Sequence, residues 1–286
     1  MNILEDIKAQ YKTGGVVQKL IFWNIGVFVF FALLDVFLRV TNSIFDYYNI
    51  LALSSNLDLF VTRFWTLFTY MFLHAGFLHL LFNMMVLHFA GRLFETYFTQ
   101  KQLFGLYVLG GFFSGIIFLL SFTLLGKSTI LVGASGAIMA LLIAVATYAP
   151  FMQIRLMLIG TVKLWHVAFV IVFLDLIQMP IDNSGGHLAH LAGAIFGFMY
   201  IRLLQKGTDL SKGISKIQEF MENLTKPKNK TPFRKVHVNK QKSTSFTSQE
   251  KDVNQKRIDD ILDKISQSGY DCLTKEEKEF LFKIGK

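Results

Sequence analysis

Long apolar stretches alternate with short polar segments through the first 205 residues of the chain. A helix needs about 17 to 25 predominantly apolar residues to cross the hydrocarbon core of a bilayer. Six stretches approach or reach that length, and they begin near Leu20, Phe77, Leu103, Ser135, Leu164 and His187. The pattern therefore predicts an all-α polytopic membrane protein, with a bundle of six transmembrane helices in residues 1–205.

The fourth and sixth stretches lie at the short end of this range and begin with the polar residues Ser135 and His187. Their first turns are expected to line protein or water rather than lipid, because lipid cannot satisfy polar groups. Residues 41–70 mix apolar and polar positions and predict an interfacial loop with short helices.

The chain changes character after residue 205. Residues 206–225 repeat apolar side chains at helical spacing and predict an amphipathic helix beside the membrane. Residues 226–250 are polar and lysine-rich, which predicts a disordered basic linker. Residues 251–286 predict a small helical hairpin, with Thr274 and Glu277 as a capping box. It is too short for a core of its own, so it should dock on the membrane domain or on an unidentified partner.

Composition and charge support a membrane location and an orientation. Hydrophobic residues make up 52% of the 286 positions, and mean hydropathy is +0.44. Short loops on the cytoplasmic side of a membrane are enriched in Lys and Arg. If the N-terminus is inside, six such residues are cytoplasmic: Lys8, Lys12, Lys19, Lys101, Arg155 and Lys163. Only three then lie on the other side: Arg39, Arg63 and Lys127. Both termini are therefore predicted to be cytoplasmic.

The tail carries most of the basic character, because residues 206–286 contribute +6 of the net +9. Anionic lipid or nucleic acid could bind such a tail, but we interpret it as a solvated cytoplasmic tail and predict no nucleic-acid partner. The single cysteine, Cys272, excludes an internal disulfide and a thiolate metal cluster. We find no repeat, phosphate-binding glycine loop or zinc-protease motif, and predict neither a cofactor nor a metal.

Polar residues inside a bilayer are costly, which makes each a candidate for function. His79 and Asn83 are four residues apart and share a helix face. Ser135 lies in Gly133-Ala134-Ser135-Gly136, directly before an apolar helix. His190 shares one helical stripe with two glycines, Gly193 and Gly197, whose small-xxx-small spacing indicates close helix packing.

These residues could form a nucleophilic site. If the sixth helix packs this stripe against the fourth, the His190 imidazole reaches the Ser135 hydroxyl and activates it. His79, Asn83 and the Ser135 backbone N–H could then stabilise an oxyanion. Asp182 lies in the preceding loop and Asp175 a full span away, so a Ser-His dyad is predicted rather than a triad.

Each cluster also has a plain structural explanation. Ser135 could be a packing or capping serine, and His79 with Asn83 could be hydrogen-bonding contacts between helices. The three clusters nevertheless occur at the starts of three different spans, all on the outer side of the predicted topology.

The same residues resemble the motifs of rhomboid proteases over residues 60–205. The family's His-x4-His-x3-Asn corresponds to His74, His79 and Asn83, its Gly-x-Ser-Gly to Gly133–Gly136, and its His-x-x-Gly-x3-Gly to His190–Gly197. The resemblance implies Ser135 and His190 as catalytic residues and His79, Asn83 and the Ser135 amide as the oxyanion hole.

By the same resemblance, His74 and Gly133 lie near the site, and Glu95 is structural. Two positions depart from the family pattern: Thr66 replaces the arginine of a Trp-Arg pair, and Met139 replaces a tyrosine found near the catalytic histidine in some relatives. His187 is an additional histidine, but the glycine register indicates His190 as the base.

The function implied is an intramembrane serine endopeptidase that cleaves transmembrane helices of single-pass or multi-pass membrane proteins through an acyl-enzyme. We expect it in a bacterial cytoplasmic membrane with its active site toward the extracytoplasmic side. A catalytically inactive rhomboid-like binder is the alternative. A metal or proton relay in a transporter is a third hypothesis, although the paired halves typical of transporters are absent from the sequence.

Overall fold

The computed structural model describes residues 2–156, 159–225 and 248–284. The chain divides into two compact units, Met1–Pro227 and Lys228–Lys286.

The first unit is mainly helical, with two pairs of very short strands. In chain order its elements are α1 (Ile3–Thr13), α2 (Val16–Val40), α3 (Tyr47–Leu51), β1 (Leu53–Ser54), α4 (Leu57–Thr62), α5 (Thr66–Thr69), a 3-10 turn (Tyr70–Phe72), α6 (Phe77–Glu95), α7 (Gln100–Leu124), β2 (Ile130–Leu131), α8 (Ser135–Tyr148), β3 (Gln153–Leu156), β4 (Gly160–Lys163), α9 (Leu164–Gln178), α10 (Ser184–Gln205) and α11 (Ser211–Thr225).

Four helices in the described ranges, α2, α6, α7 and α10, are long and apolar enough to cross a membrane. The predicted fourth and fifth spans form the shorter apolar helices α8 and α9, of 14 and 15 residues. A 14-residue helix rises only about 21 Å, less than the hydrocarbon core. The predicted sixth span is α10, which begins at Ser184 rather than at His187. It begins earlier because the Asn183 side chain accepts a hydrogen bond from the Gly186 N–H and caps the helix there.

The segment between α2 and α6 folds into short helical turns that are tied together by side chains. Trp65 Nε1 donates to the Ile50 carbonyl at 2.8 Å, and the Arg63 guanidinium bonds Asn49. Thr66, which replaces the family arginine, donates to the Arg63 carbonyl at 2.7 Å. Arg63 and Trp65 therefore anchor this segment without an arginine at position 66.

Residues 149–163 carry Pro150 and Arg155 among apolar residues, a composition that predicts only a turn between two spans. In the structure they include an antiparallel strand pair, β3 with β4. Gln153 pairs with Lys163, and Leu156 pairs with Gly160, whose φ is +88°. Glycine adopts this backbone conformation without the strain that a Cβ would cause. The fold is thus mostly helical but not purely α.

The centre of the unit is a seam where α7, α8 and α10 pack with almost no side chain between them. A Cβ added to Gly193 would lie 2.0 Å from the Gly136 carbonyl oxygen, and one added to Gly197 would lie 2.2 Å from that of Ala140. On α7, a Cβ at Gly110 would meet the Ala140 methyl at 2.5 Å. Only glycine allows these backbones to approach so closely.

The amphipathic segment that was predicted over residues 206–225 forms α11 from Ser211. The Asp209 carboxylate fixes the N-terminus of α11, because it accepts hydrogen bonds from the Ser211 backbone N–H at 2.9 Å and from the Ser211 hydroxyl at 2.6 Å. Tyr200 on α10 and Gln102 on α7 also donate to Asp209, at 3.2 Å each. These bonds attach α11 to the end of the bundle.

In the second unit, α12 (Ser248–Ser268), a 3-10 turn (Tyr270–Cys272) and α13 (Lys275–Ile284) make up the described part. The capping box is confirmed: Thr274 Oγ1 accepts the Glu277 N–H at 3.3 Å, and Glu277 accepts the Thr274 N–H at 2.9 Å. Of the predicted linker 226–250, residues 226–247 lie outside the described residues. Residues 248–250 are helical, because α12 begins earlier than the composition suggested.

Candidate active site

Ser135 is the first residue of α8 and is partly exposed at the helix N-terminus. The preceding loop is held by a bond from the Gly133 N–H to the Tyr70 carbonyl at 2.9 Å. Gly133 has φ +123°, a conformation that side chains rarely adopt. A Cβ there would lie 3.0 Å from the His79 ring and 3.6 Å from Ser135 Oγ. The loop therefore brings the Ser135 hydroxyl and the His79 ring to one place.

The His79 ring has a defined hydrogen-bonding state. Its Nδ1 accepts the Ala75 N–H at 3.3 Å, so a neutral ring carries its proton on Nε2. Nε2 and Cε1 both lie 3.0 Å from the Cβ position of Gly133. The edge of the ring that carries Nε2 is therefore the one beside the Ser135 loop.

His74 lies beside His79, with ring centroids 5.2 Å apart. The residue is 4% exposed, and burial lowers the pKa of its imidazole to about 4, with the neighbouring His79 acting in the same direction. His74 is therefore neutral at physiological pH. The buried, uncharged imidazole of His74 therefore packs edge-on against the His79 ring.

Asn83 is buried on the inner face of α6, one turn after His79. Its Nδ2 donates to the His79 carbonyl at 2.8 Å, and within the described chain its Oδ1 has no hydrogen-bond partner. One amide proton is thus used within α6 itself. The predicted oxyanion role of Asn83 depends on the second proton and stays a prediction.

The expectation that no carboxylate orients His190 is wrong. Asp175 Oδ1 lies 2.8 Å from His190 Nδ1 and 2.7 Å from His187 Nδ1. Asp175 stands three residues before the end of α9, and the turn to α10 is short. Helices joined by a short turn run antiparallel, so residues on either side of the turn are neighbours. The missed signal was a carboxylate inside an apolar helix.

The glycine seam also determines where His190 lies relative to Ser135. A Cβ on Gly136 would lie 3.3 Å from the Ala189 carbonyl oxygen. Ser135 directly precedes Gly136, and His190 directly follows Ala189, so the two residues flank this close contact. Ser135, His79, His190 and Asp175 therefore gather at one end of the bundle.

No hydrogen bond joins Ser135 Oγ to the His190 ring in the part of the chain that the structure describes. Such bonds are often long in ligand-free active sites and tighten when substrate binds. Because His190 Nδ1 faces Asp175, Nε2 is the nitrogen left to accept a proton from a hydroxyl. The arrangement has the elements of a serine, histidine and carboxylate site.

The two histidines and Asp175 are also side chains that could bind a metal, since their donor atoms lie within 4.8 Å of one another. The Nδ1 to Oδ1 distances of 2.7 and 2.8 Å are hydrogen-bond lengths. Two ligands of a tetrahedral zinc at about 2.0–2.1 Å would stand roughly 3.3–3.4 Å apart. The observed spacing therefore favours protons between these groups.

Met139 and Glu95 are the two remaining predicted positions, and Met139 follows Ser135 by about one turn of α8. Met139 is 5% exposed within α8, where it packs in the core. Glu95 pairs with Arg92 at 3.1 Å at the far end of α6. Neither position adds a reactive group beside Ser135.

A multi-pass helical membrane protein, with a polar cluster at one end of a glycine-packed bundle, is the class that this fold and site define. Residues 61–207, just over half of the chain, match the Rhomboid domain family. The chain belongs to the rhomboid family. Residues 246–284 match a family of unknown function (DUF6576), which covers the helices of the second unit.

Curated relatives match shorter parts of the chain. The zebrafish (Danio rerio) presenilin-associated rhomboid-like protein A, mitochondrial, is 30% identical over 133 residues, 46% of this chain and 35% of its own length. The human presenilin-associated rhomboid-like protein, mitochondrial, is 29% identical over 133 residues, which are 46% of this chain and 35% of that protein. RHOMBOID-like protein 1 of Arabidopsis thaliana is 40% identical over 78 residues, 27% of this chain and 19% of its own length.

The chain thus spans about a third or less of the length of these relatives. Two of the three are named as mitochondrial proteins. The comparisons therefore give no support to the expected location in a bacterial cytoplasmic membrane. The apolar helices indicate a protein that crosses a membrane several times.

Proposed function

We propose that this protein is an intramembrane serine endopeptidase with Ser135 as its nucleophile. One observation carries the proposal: His190 is held by a carboxylate through Nδ1 at 2.8 Å, at the place where the seam brings α10 against the first residues of α8. A packing serine would need neither a histidine nor a carboxylate beside it.

In the proposed reaction, His190 Nε2 takes the hydroxyl proton as Ser135 Oγ attacks the peptide carbonyl. The peptide C–N bond breaks as His190 returns that proton to the leaving amine, which leaves an acyl-enzyme. Water, deprotonated by His190, then releases the acid and restores Ser135. Asp175 fixes the ring and stabilises the imidazolium, which extends the predicted Ser-His dyad to a triad-like arrangement.

The negative charge on the carbonyl oxygen needs donors already in place. His79 Nε2–H is oriented toward the Ser135 loop because Nδ1 is used by Ala75, and the Ser135 backbone N–H is free at the start of a helix. Each such donor is worth roughly 3 to 4 kcal/mol. His79 and the Ser135 amide are the donors that we favour, with Asn83 in support.

The substrates proposed are transmembrane helices of other membrane proteins that enter laterally from the bilayer. A helix hides its carbonyls in internal hydrogen bonds, so residues that break helices near the cut should favour cleavage. We propose that α8 and α9 complete six crossings with both termini inside, as the distribution of Lys and Arg indicates. The site then opens on the side opposite the termini.

The test uses purified full-length protein in liposomes with a transmembrane reporter and, separately, a fluorophosphonate probe. Ser135→Ala and His190→Ala should each lose both cleavage and labelling. Ser128→Ala and His166→Ala alter exposed positions away from the site and should keep both. Cleavage that persists in Ser135→Ala would refute the assignment. A wild type that binds the reporter and neither cleaves it nor labels would establish the non-catalytic binder.

A further inference from the structure

The helix α11 has a fixed place at the end of the bundle where α6 leads into α7, away from Ser135. A Cβ added to Gly105 on α7 would lie 2.4 Å from the Ser211 Cβ, so the first residue of α11 packs directly on α7. Gln100 is the first residue of α7, and Gly105 follows it by about 7.5 Å along the helix axis. The start of α11 therefore lies close to the level at which α7 enters the membrane.

Aromatic residues mark the same level of the bundle. Trp23 on α2 donates from Nε1 to the Tyr11 hydroxyl at 3.1 Å. Its ring meets the edge of Phe104, the neighbour of Gly105, with centroids 6.4 Å apart. Trp23 and Tyr11 are both partly exposed, as Trp and Tyr side chains typically are at a membrane–water interface. These contacts place the start of α11 at the boundary between acyl chains and headgroups.

The outer side of α11 carries apolar and basic residues next to each other. Ile214 packs against the core, whereas Ile217 and Phe220, three residues apart on one face, are 57% and 65% exposed. Lys216 stands one helical turn before Phe220, and Lys212 one turn before Lys216, and both are exposed. At a membrane surface, such a helix buries its apolar side chains among the acyl chains and keeps its cations with the headgroups.

The two carboxylates near these lysines are already engaged. Asp209 accepts the hydrogen bonds that fix the start of α11, and Glu219 pairs with Lys101 at 2.9 Å. Within the described ranges, neither Lys212 nor Lys216 has an ion-pair partner. Both line a groove of about 390 Å³ between the start of α7 and α11. The groove therefore presents uncompensated positive charge beside an apolar face.

We propose that this groove and the exposed face of α11 bind an anionic phospholipid, with Lys212 and Lys216 at the headgroup phosphate and Ile217 and Phe220 against the acyl chains. From residue 202 to residue 216 the chain has four basic residues and one acidic residue. A cluster of about four or more Lys and Arg at the end of a membrane-spanning helix is typical of anionic-lipid sites. The role is independent of the proposed protease function.

The experiment counts lipids bound to full-length protein released from detergent micelles, by native mass spectrometry. The probes are phosphatidylglycerol and phosphatidylcholine with the same acyl chains. Lys212→Gln/Lys216→Gln should weaken binding of the first phosphatidylglycerol by about 30-fold, given the attraction of each Lys to an anionic surface. Binding of phosphatidylcholine should not change. The matched control, Lys8→Gln/Lys12→Gln, removes the same charge from exposed positions of α1 and should weaken phosphatidylglycerol binding by less than about threefold.

The apolar face is tested separately with Ile217→Ser/Phe220→Ser, which should weaken both lipids together because acyl chains are common to them. All substituted positions are exposed, so the melting temperatures should stay at the wild-type value.

Equal weakening by the α11 and α1 lysine variants would show diffuse charge attraction and overturn the site, as would unchanged phosphatidylglycerol binding in Lys212→Gln/Lys216→Gln. Displacement of the lipid by inorganic phosphate at the same concentration would identify a site for free anions instead. If Ile217→Ser/Phe220→Ser leaves lipid binding unchanged and converts a dimer to a monomer in light scattering, a second copy of the chain covers this face, and the lipid proposal is wrong.

Discussion

Asp175→Asn is the substitution that most directly tests how His190 is held. It keeps the size of the side chain and removes its charge. The Asn amide could donate a proton to His190 Nδ1, which would leave the ring proton on Nε2. The nitrogen that should accept the Ser135 proton would then already carry one, and the carboxylate that stabilises the imidazolium would be lost.

The expected loss follows from the geometry. The bond between Asp175 and His190 is 2.8 Å long, and the Asp175 side chain is 7% exposed. Losing a hydrogen bond to a charged group costs about 1.5 to 3 kcal/mol, which is roughly 10- to 150-fold in rate. The unfavourable tautomer adds to this, up to about 10⁴-fold in a serine protease with the same substitution. We expect Asp175→Asn to lower kcat by about 10²- to 10⁴-fold.

The assay is single-turnover cleavage of a transmembrane reporter in liposomes, together with the rate of fluorophosphonate labelling. Asp175→Ala removes the charge without fixing the wrong tautomer, so it should lose only about 10- to 150-fold. Asp182→Asn, whose carboxylate is 72% exposed, should stay within about twofold of wild type at neutral pH. If folded Asp175→Asn keeps wild-type kcat, Asp175 has no role in the reaction.

Three further outcomes are expected. His79→Phe should lower kcat by about 10²- to 10³-fold through loss of its Nε2–H donor, and Asn83→Ala by less; the reverse order would contradict the assigned donors. Gly197→Ala places a Cβ 2.2 Å from a backbone oxygen and should lower the free energy of unfolding by about 1–3 kcal/mol, so the melting temperature should fall. The control is Gly213→Ala, whose added Cβ would have nothing within 4 Å, and its melting temperature should not fall. The third concerns acid stability: the folded pKa of His74 is lowered by burial from 6.5 to about 4, so the unfolded chain binds more protons between these values. Wild type should lose about 2 kcal/mol between pH 7.5 and pH 5 from this group, and His74→Gln should lose less; equal melting curves would show that the His74 ring is not buried in its neutral form.

The local pattern of apolar residues was enough to locate the long helices. Runs of apolar residues placed α2, α6 and α7 within a few residues of their observed starts, since a chain in lipid must form its hydrogen bonds within each helix. The start of α8 at Ser135 was also predicted correctly. The β3–β4 pairing was missed, because two four-residue strands leave little periodicity to detect.

The helix-packing glycines could also be read from sequence, because Gly193 and Gly197 are spaced one helical turn apart. Which backbones they meet could not. Their partners, Gly136 and Ala140, lie on another helix more than 50 residues away.

The rhomboid motifs, the membrane character and the candidate nucleophile could be identified from the amino-acid sequence, since these depend on residue types at short, fixed spacings. The contact of Asp175 with His187 and His190, and the position of the His79 ring beside the serine loop, became visible only in the folded chain. Such contacts depend on how helices pair in space, for example across a short turn. Distance along the chain says little about such neighbours, and a carboxylate that seemed a full span away proved to be in hydrogen-bond contact.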